Sequence, residues 1–386
     1  MLKSKIESTK KAWASRFRNP SDLWNKVHII TGKNSAKDPV VDFVKSFDSV
    51  FTAASALNNH FGSVFSEDLP VDPLLFDSNT VTWEHFITVD SVINCFVKYP
   101  VNKAAGPDCI PASLYVAIVD VIAKPLCHIF NESIRTQTFP NRWKNVNVVP
   151  IAKCKKPTIS DFRPVSLLSF PAKVFEKLVY NSFRHLFVSN FGLHQFGFRE
   201  KSSTCCALIS LHNHICELAE LDGVRGVQVF ALDLTKAFDK LRYRTIIEHL
   251  FGCYFPRDFI LWLLSYLSNR SQCVRISSVL SQRIQITSGV PQGSVLGPAL
   301  FNVVSSSLTP VHQSTGMFKF ADDITLSIPI FHTHNNVVSE IDNINHWCTV
   351  TGLSLNVLKS KYIFIRTSTV PYIYIYLLRV LKSAFQ

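Results

Sequence analysis

Two adjacent aspartates inside an apolar run limit the conformations open to this chain. The stretch FKFADDITLSIPI covers residues 318–330, and Asp322 and Asp323 lie between two strand-like segments, MFKFA and ITLSIPI. In the second segment, apolar and polar side chains alternate with the period of two that is typical of a half-buried strand. The pattern predicts a β-hairpin with both aspartates in its turn, where aspartate tolerates unusual backbone angles.

Neighbouring carboxylates repel each other and lose hydration in apolar surroundings, so the pair must face water or share a cation. By itself such a pair most often marks a solvated turn. Asp233, however, ends the segment GVQVFALDL, which is apolar almost throughout and is predicted to be a strand buried on both faces. Three carboxylates at strand ends would form the oxygen-rich site that Mg²⁺ prefers. Two such ions about 4 Å apart can clamp the attacking and leaving oxygens in phosphoryl transfer.

Asp239 could be a further metal ligand, although a role in bracing the next helix is the favoured interpretation. That helix is predicted over TKAFDKLRYRTIIEHLF, residues 235–251.

Composition and charge favour a globular protein with an anionic partner. The 386 residues are 47% hydrophobic and carry a net charge of +12, with nucleic acid the first candidate partner and a merely basic globular protein the alternative. This length allows two or three domains. No apolar run reaches the roughly 18 residues of a membrane span, so no membrane partner is predicted.

The ten cysteines fit neither a zinc pattern nor a small disulfide scaffold, which favours reduced thiols in an intracellular protein. His212, His214 and Cys216 form an H-x-H-x-C cluster. Because the surrounding ALISLHNHICELAEL has the pattern of an amphipathic helix, a helix is favoured over a metal site.

A series of motifs, in their usual order, resembles the motifs of reverse transcriptases, and most closely those of non-LTR (LINE-type) retrotransposons. The similarity covers about residues 100–366. The palm-like motifs are FALDLTKAFDKL, SGVPQGSVLGPALFNVV, FADD and GLSLNVLKSKYIFI, and the fingers-like blocks are NKAAGPDCIP, VNVVPIAKCKKPTISDFRPVSLLS and HQFGFREKSSTCCAL. Upstream, LNNHFGSVF resembles the linker that precedes the polymerase in these elements.

The resemblance implies an α+β right-hand polymerase with a ferredoxin-like palm and interleaved fingers. The expected divisions are a linker-like helical region over 1–100, fingers over about 101–223, a palm over about 224–366 and an unmatched tail over 367–386. No thumb is recognisable before residue 386, so a fragment with a weak grip on primer and template is expected.

The resemblance also implies metal and gate residues. Asp233, Asp322 and Asp323 match the family's metal-binding carboxylates, and the Leu234 carbonyl would be a further ligand of two Mg²⁺ ions, with Mn²⁺ a possible substitute. Phe238 matches the bulky residue that clashes with a ribose 2′-OH. Without the resemblance, it would be interpreted as a core residue.

The remaining implied roles concern the nucleotide. Gln292 and Gly293 match the loop that packs on the incoming base pair and template, with an ordinary turn as the alternative. Arg163 matches the fingers residue that holds the triphosphate, because its planar fork pairs with phosphate oxygens. Lys153 would add a point charge there. Lys359 matches the lysine suggested to protonate the leaving pyrophosphate, although Lys361 is close by.

The expected activity is RNA-directed DNA polymerisation, with an RNA template, a DNA primer and dNTPs as partners. A catalytically inactive remnant that only binds nucleic acid is one alternative. A group II intron maturase or an RNA-dependent RNA polymerase is another, and the bulky Phe238 weighs against RNA synthesis. The resemblance implies the cytoplasm and nucleus as locations, and the oligomeric state stays open.

Overall fold

A computed structural model describes residues 39–66, 83, 86–331, 335–366 and 374–377. Its α-helices are α1 Pro39–Val44, α2 Val50–Gly62, α3 Val89–Lys98, α4 Ala112–Ala117, α5 Val119–Arg135, α6 Phe170–Ser182, α7 Arg184–Ser189, α8 Thr204–Glu220, α9 Ala237–Lys240, α10 Tyr243–Gly252, α11 Arg257–Leu267, α12 Leu296–Ser305 and α13 Val337–Thr351. Its strands are β1 Asn145–Ala152, β2 Phe162–Leu167, β3 Val224–Asp233, β4 Arg270–Ile276, β5 Val279–Leu280, β6 Ile284–Ile286, β7 Gly316–Phe320, β8 Asp323–Phe331, β9 Lys361–Arg366 and β10 Tyr374–Leu377.

Five strands form a sheet with the order β10-β9-β3-β8-β7, in which every neighbouring pair is antiparallel. We call it the antiparallel sheet. The connection from β3 to β7 contains four helices and the strands β4–β6 of the other sheet, and α13 connects β8 to β9. Within the antiparallel sheet, β3, β7, β8 and β9 with their connecting helices therefore have the β-α-β-β-α-β order of the ferredoxin-like fold. The predicted ferredoxin-like palm is thus confirmed, and so is the hairpin around the aspartate pair.

The other five strands form the mixed sheet, in which β1 lies between β2 and β4, β5 continues from β4, and β6 also pairs with β4. Its β1–β4 pair is parallel. Strands β4–β6 come from the range predicted for the palm, whereas β1 and β2 come from the range predicted for the fingers. The boundary near residue 224 therefore does not separate the two sheets, because β4 reaches back to pair with β1.

Helices α1 and α2 pack on the mixed sheet through Phe43, Leu57 and Phe61, which share a core with Val148 and Phe162. Polar contacts add to this packing. The Gln272 amide donates to the Asn58 side chain at 3.1 Å, and the Asn58 amide donates to the Gln282 carbonyl at 2.7 Å. The described part of the predicted linker-like region is thus helical and tied to the strands that follow it.

The main core lies between one face of the antiparallel sheet and the helices, and it uses many of the chain's phenylalanines. Phe230 and Leu232 of β3 face this core, whereas Val227 and Val229 face α8. Burial on both faces explains why most of this strand is apolar. Aromatic rings dominate the helical side, where Phe130 stacks on Phe175 at 4.5 Å.

The predicted helix over residues 235–251 is wrong in one respect, since it is broken at Leu241 and Arg242. The Phe238 carbonyl accepts from Val290 and the Leu241 carbonyl accepts from Gly289, each at 2.8 Å. These bonds to a distant loop replace helical ones at the break.

Helix α8 confirms the helix predicted around the H-x-H-x-C cluster. Within the described ranges, no group of three or more His, Cys, Asp or Glu side chains is arranged to hold a metal ion. None of the helices in the described part of the chain is long and apolar enough to span a bilayer.

Candidate active site

The sheet brings the three aspartates to one end of two neighbouring strands. Asp233 is the last residue of β3, and Asp323, the first of β8, lies directly opposite it in the strand register. Asp322 occupies the turn between β7 and β8. Asp322 is half-buried and Asp323 is exposed. The hairpin and the neighbouring strand therefore present carboxylates at the same end of the sheet, as the sequence predicts.

The turn is held by Gln195, which the sequence does not single out. Ala321 has a φ of 57°, in the left-handed region. The buried Gln195 side chain accepts from the Ala321 amide at 3.0 Å and donates to the Ala321 carbonyl at 3.2 Å. Gly197 lies so close that a Cβ there would stand 2.3 Å from the Ala321 nitrogen. This side chain fixes the backbone that carries both aspartates.

Burial and mutual repulsion act on the aspartate pair. Desolvation, followed by the Asp233 charge, raises the pKa of Asp322, although a backbone hydrogen bond and Arg163 oppose the shift. Desolvation and then the charges of Asp322 and Asp233 raise the pKa of Asp323. A cation between these groups would relieve the repulsion.

The donor set suits a hard cation. Carboxylate and carbonyl oxygens are the ligands that Mg²⁺ takes in proteins. Leu234 lines the same cleft as Asp233 and Asp322, and no hydrogen bond to its carbonyl oxygen is found among the described residues. The three carboxylates are not gathered into a cluster with metal-ligand spacing in the described part of the chain.

Lys359 lies next to the carboxylates. Its Nζ is 3.9 Å from Asp233 Oδ2, and both side chains are partly exposed, so the pair adds little stability. The backbone amide of Asn356 donates to the backbone carbonyl of Asp233 at 2.7 Å, which fixes the turn that carries Lys359. Of the two candidate lysines, Lys359 lines the cleft, whereas Lys361 begins β9 and pairs with Ala231.

One cleft collects the predicted site residues. Its volume is about 540 Å³, inside the range of roughly 300–1,000 Å³ typical of small-molecule sites. Every predicted residue lines it except Asp323: Lys153, Arg163, Asp233, Leu234, Phe238, Gln292, Gly293, Asp322 and Lys359. Residues distant in sequence therefore share one surface.

Two basic residues enter the cleft from the β1–β2 hairpin. Arg163 pairs with Ile151 in the strand register, and the Lys153 amide donates to the Asp161 carbonyl at 2.9 Å. Both side chains are exposed. They place positive charge across the cleft from the aspartates, where a polyanionic ligand would be attracted.

Phe238 is half-buried and has two aromatic neighbours. It stacks on Phe301 at a centroid distance of 4.9 Å and meets Phe198 edge-on at 6.1 Å. Since it also lines the cleft, both sequence interpretations describe it: one side of the ring packs in the core, and the residue presents bulk to the cleft.

The loop with Gln292 and Gly293 is held from two sides. The backbone carbonyl of Gln292 accepts a hydrogen bond from the backbone amide of Ser166 in β2 at 2.7 Å. Gly293 has a φ of 124°, and a Cβ there would stand 2.7 Å from the Ser166 carbonyl oxygen, so glycine is required. The Gln292 amide nitrogen donates to both Asp239 oxygens, at 2.8 and 2.9 Å. Asp239 therefore braces this loop.

Phe61, Val64 and Lys236 are among the cleft residues to which the sequence prediction gives no role. Phe61 and Val64 come from the end of α2 and the turn after it, within the segment LNNHFGSVF that resembles the family's linker but shows no catalytic pattern. Lys236, in the left-handed region with a φ of 48°, places its Nζ 3.3 Å from His60 Nε2. The sequence signal that could have indicated Lys236 is its position two residues after Leu234, inside the motif FALDLTKAFDKL.

A ferredoxin-like sheet with carboxylates at its strand ends, facing a basic cleft, defines the palm of a nucleic-acid polymerase. Residues 154–375 match the family model described as reverse transcriptase (RNA-dependent DNA polymerase). The chain therefore belongs to the reverse transcriptase family, and the predicted likeness to non-LTR retrotransposon enzymes is confirmed.

Two of the relatives from Drosophila melanogaster illustrate the similarity. The chain is 32% identical over 251 residues to the probable RNA-directed DNA polymerase from transposon BS, covering 62% of this chain and 27% of that protein. It is 29% identical over 359 residues to the RNA-directed DNA polymerase from mobile element jockey, covering 89% of this chain and 37% of that protein. The chain thus spans well under half of either relative. A telomerase from Candida tropicalis is a distant structural neighbour, with 10% identity, a TM-score of 0.44, and coverage of 63% of this chain and 45% of that one.

Proposed function

We propose that the chain is an RNA-directed DNA polymerase of a non-LTR retrotransposon, which transfers a deoxynucleotide from a dNTP to a primer 3′-OH on an RNA template. One observation carries the proposal: the predicted metal, triphosphate, gate and base-pair residues, all except Asp323, line a single cleft. The names of its relatives, which are RNA-directed DNA polymerases, support it.

Asp233, Asp322 and Asp323, with the Leu234 carbonyl, would hold two Mg²⁺ ions, or Mn²⁺ as a substitute, whose charge would stabilise the attacking oxygen and the phosphates. Burial and, to a smaller extent, the neighbouring carboxylate charges raise the pKa of Asp322 and Asp323, and a bound cation would offset both effects, which supports this assignment.

The other cleft residues bind and orient the reactants. Arg163 and Lys153 neutralise the triphosphate, and the Gln292–Gly293 loop packs on the base pair. Phe238 excludes a ribose 2′-OH by its bulk. Lys359 gives a proton to the leaving pyrophosphate, which requires its ammonium to leave Asp233 for the phosphate.

Primer extension tests the proposal. Purified protein is given an RNA template, a DNA primer, Mg²⁺ and dNTPs. We expect the wild type to extend the primer and the double variant Asp322→Ala, Asp323→Ala to lose activity by at least about 10³-fold, since the carboxylates act where charge develops. Asp342→Ala, an aspartate on α13 outside the cleft, is the matched control.

If the folded wild type binds primer and template without extending the primer, the proposed polymerase activity is wrong. The protein would then be the inactive remnant that only binds nucleic acid. A ribonucleotide preference would instead indicate an RNA-synthesising enzyme. The cytoplasm and nucleus remain proposed locations.

A further inference from the structure

Asp239 and Gln292, which are both half-buried, form hydrogen bonds in which donor and acceptor can be assigned. An ionised carboxylate only accepts hydrogen bonds, and an amide has one donating and one accepting end. Both Asp239 oxygens receive the Gln292 nitrogen, at 2.8 and 2.9 Å. The amide oxygen must therefore point away from Asp239. Among the described residues, no donor to that oxygen is found, and Gln292 lines the cleft.

Asp239 is itself firmly placed. Its backbone carbonyl accepts from Ser288 Oγ at 2.9 Å, and its amide donates to the Lys236 carbonyl at 3.0 Å. Gly289 is pressed against the same segment, since a Cβ there would stand 2.5 Å from the Asp239 carbonyl oxygen. The carboxylate therefore cannot follow Gln292 if the amide turns over.

We infer that Asp239 is a positioning residue, which orients the Gln292 amide so that the cleft offers bound nucleotide a hydrogen-bond acceptor in place of a donor. The inference rests on the proposed function and adds a specificity element to it. A ligand that places a hydroxyl or amino group at Gln292 is stabilised, and one that places a carbonyl there is disfavoured.

Asp239→Asn tests this, because asparagine keeps the size and can hold the glutamine amide in either orientation. We expect the KM for dNTP to rise about fivefold, the size of one hydrogen bond, with kcat changed less than twofold. Asp258→Asn is the matched control, since Asp258 also accepts from a glutamine amide, that of Gln137 at 2.6 Å, but lies outside the cleft. Its KM should match the wild type.

A double-variant cycle separates positioning from structural support. If Asp239 acts through Gln292, then Asp239→Asn should have no further effect on KM in a Gln292→Met background. Equal effects of Asp239→Asn in both backgrounds, or an unchanged KM in the single variant, would overturn the inference.

Direct titration of dNTP onto each variant repeats the comparison without turnover. If the wild type fails to extend the primer but Asp239→Asn still binds dNTP about fivefold more weakly, the proposed activity is wrong and the inference about Asp239 stands. Absence of dNTP binding by the folded wild type would overturn both.

Discussion

At the residue scale, the environment of Phe238 matters more than its size alone. Phe301 supports one side of the ring, and Phe198 meets its edge, so the side chain has little freedom to turn aside. A bulky residue excludes a ligand only when it cannot move, and the packing here provides that constraint.

Phe238→Val should admit ribonucleotides. The smaller side chain frees space where a 2′-OH would otherwise clash, so we expect the preference for dNTP over rNTP to fall by at least about tenfold, consistent with a clash worth more than 1.4 kcal/mol. This preference is measured as the ratio of kcat/KM for dNTP to kcat/KM for rNTP.

Phe301→Leu is the control for lost packing. Phe301 is buried behind Phe238 and does not line the cleft, so this variant should lose stability while keeping most of the discrimination. An unchanged preference in Phe238→Val would show that the ring is only a core residue.

Some residues of the site could be predicted from sequence and others could not, for a physical reason. Asp233 ends an apolar strand, and Asp322 and Asp323 lie in the turn and at the first position of a strand with alternating side chains, so local sequence patterns place all three. Gln195 contacts Ala321 across 126 residues of sequence, and Asp239 contacts Gln292 across 53. Side chains of this kind act through long-range partners, which local periodicity does not contain.

At the scale of elements, Lys319 joins β7 to the end of α12. It is 1% exposed, and its ammonium donates to the carbonyls of Ser305 and Leu308, the second at 2.9 Å. Free carbonyls at a helix C-terminus favour a cation. The aspartate hairpin is thus anchored to the helix that follows the Gln292 loop.

Burial lowers the pKa of Lys319 from 10.5 to about 7. Between these two values the unfolded chain binds a proton that the folded chain has lost, so the free energy of unfolding should rise with pH. In Lys319→Met this contribution is absent. We expect wild-type stability, relative to that variant, to rise by up to about 1.4 kcal/mol per pH unit between about pH 7 and 10.

Urea unfolding of both proteins at several pH values measures the difference. Lys45→Met, at an exposed lysine directly after α1, is the control and should run parallel to the wild type. Parallel curves for Lys319→Met as well would show that the buried amine does not titrate in this range.

The break after α9 shows what element-level prediction lacks. Apolar spacing correctly indicates helix on both sides of Leu241, but at the break the backbone amide of Val290 donates to the Phe238 carbonyl and that of Gly289 donates to the Leu241 carbonyl. Similarly, the hairpin follows from alternation and β3 from its apolar run, whereas neither pattern predicts the pairing of β1 with β4, since many strands could pair equally well.

At the scale of the whole molecule, a net charge of +12 matches a nucleic-acid partner, and part of that charge lies beside the cleft. Lys155 and Lys156 follow Lys153 in the β1–β2 connection and are exposed. Contacts between such lysines and phosphates release counterions, so salt weakens them.

We therefore expect the affinity for an RNA–DNA duplex to fall at least about tenfold between 50 and 200 mM monovalent salt. The double variant Lys155→Gln, Lys156→Gln should bind more weakly and reduce the slope of log K against log salt by up to about 2. Fluorescence anisotropy measures both. Lys45→Gln, outside the cleft, should keep the wild-type slope, and equal slopes for all three proteins would exclude phosphate contacts by this loop.

The parallel pairing of β1 with β4 also affects how the chain folds during synthesis. Asn145 and Ser271, which lie opposite each other, are 126 residues apart. At about 5–20 residues per second, a ribosome needs roughly 6–25 s to make that interval. Throughout this time β1 has an unpaired edge with apolar residues such as Val146 and Val148, which are fully buried once folded. The nascent chain should therefore need a chaperone during that interval to escape aggregation.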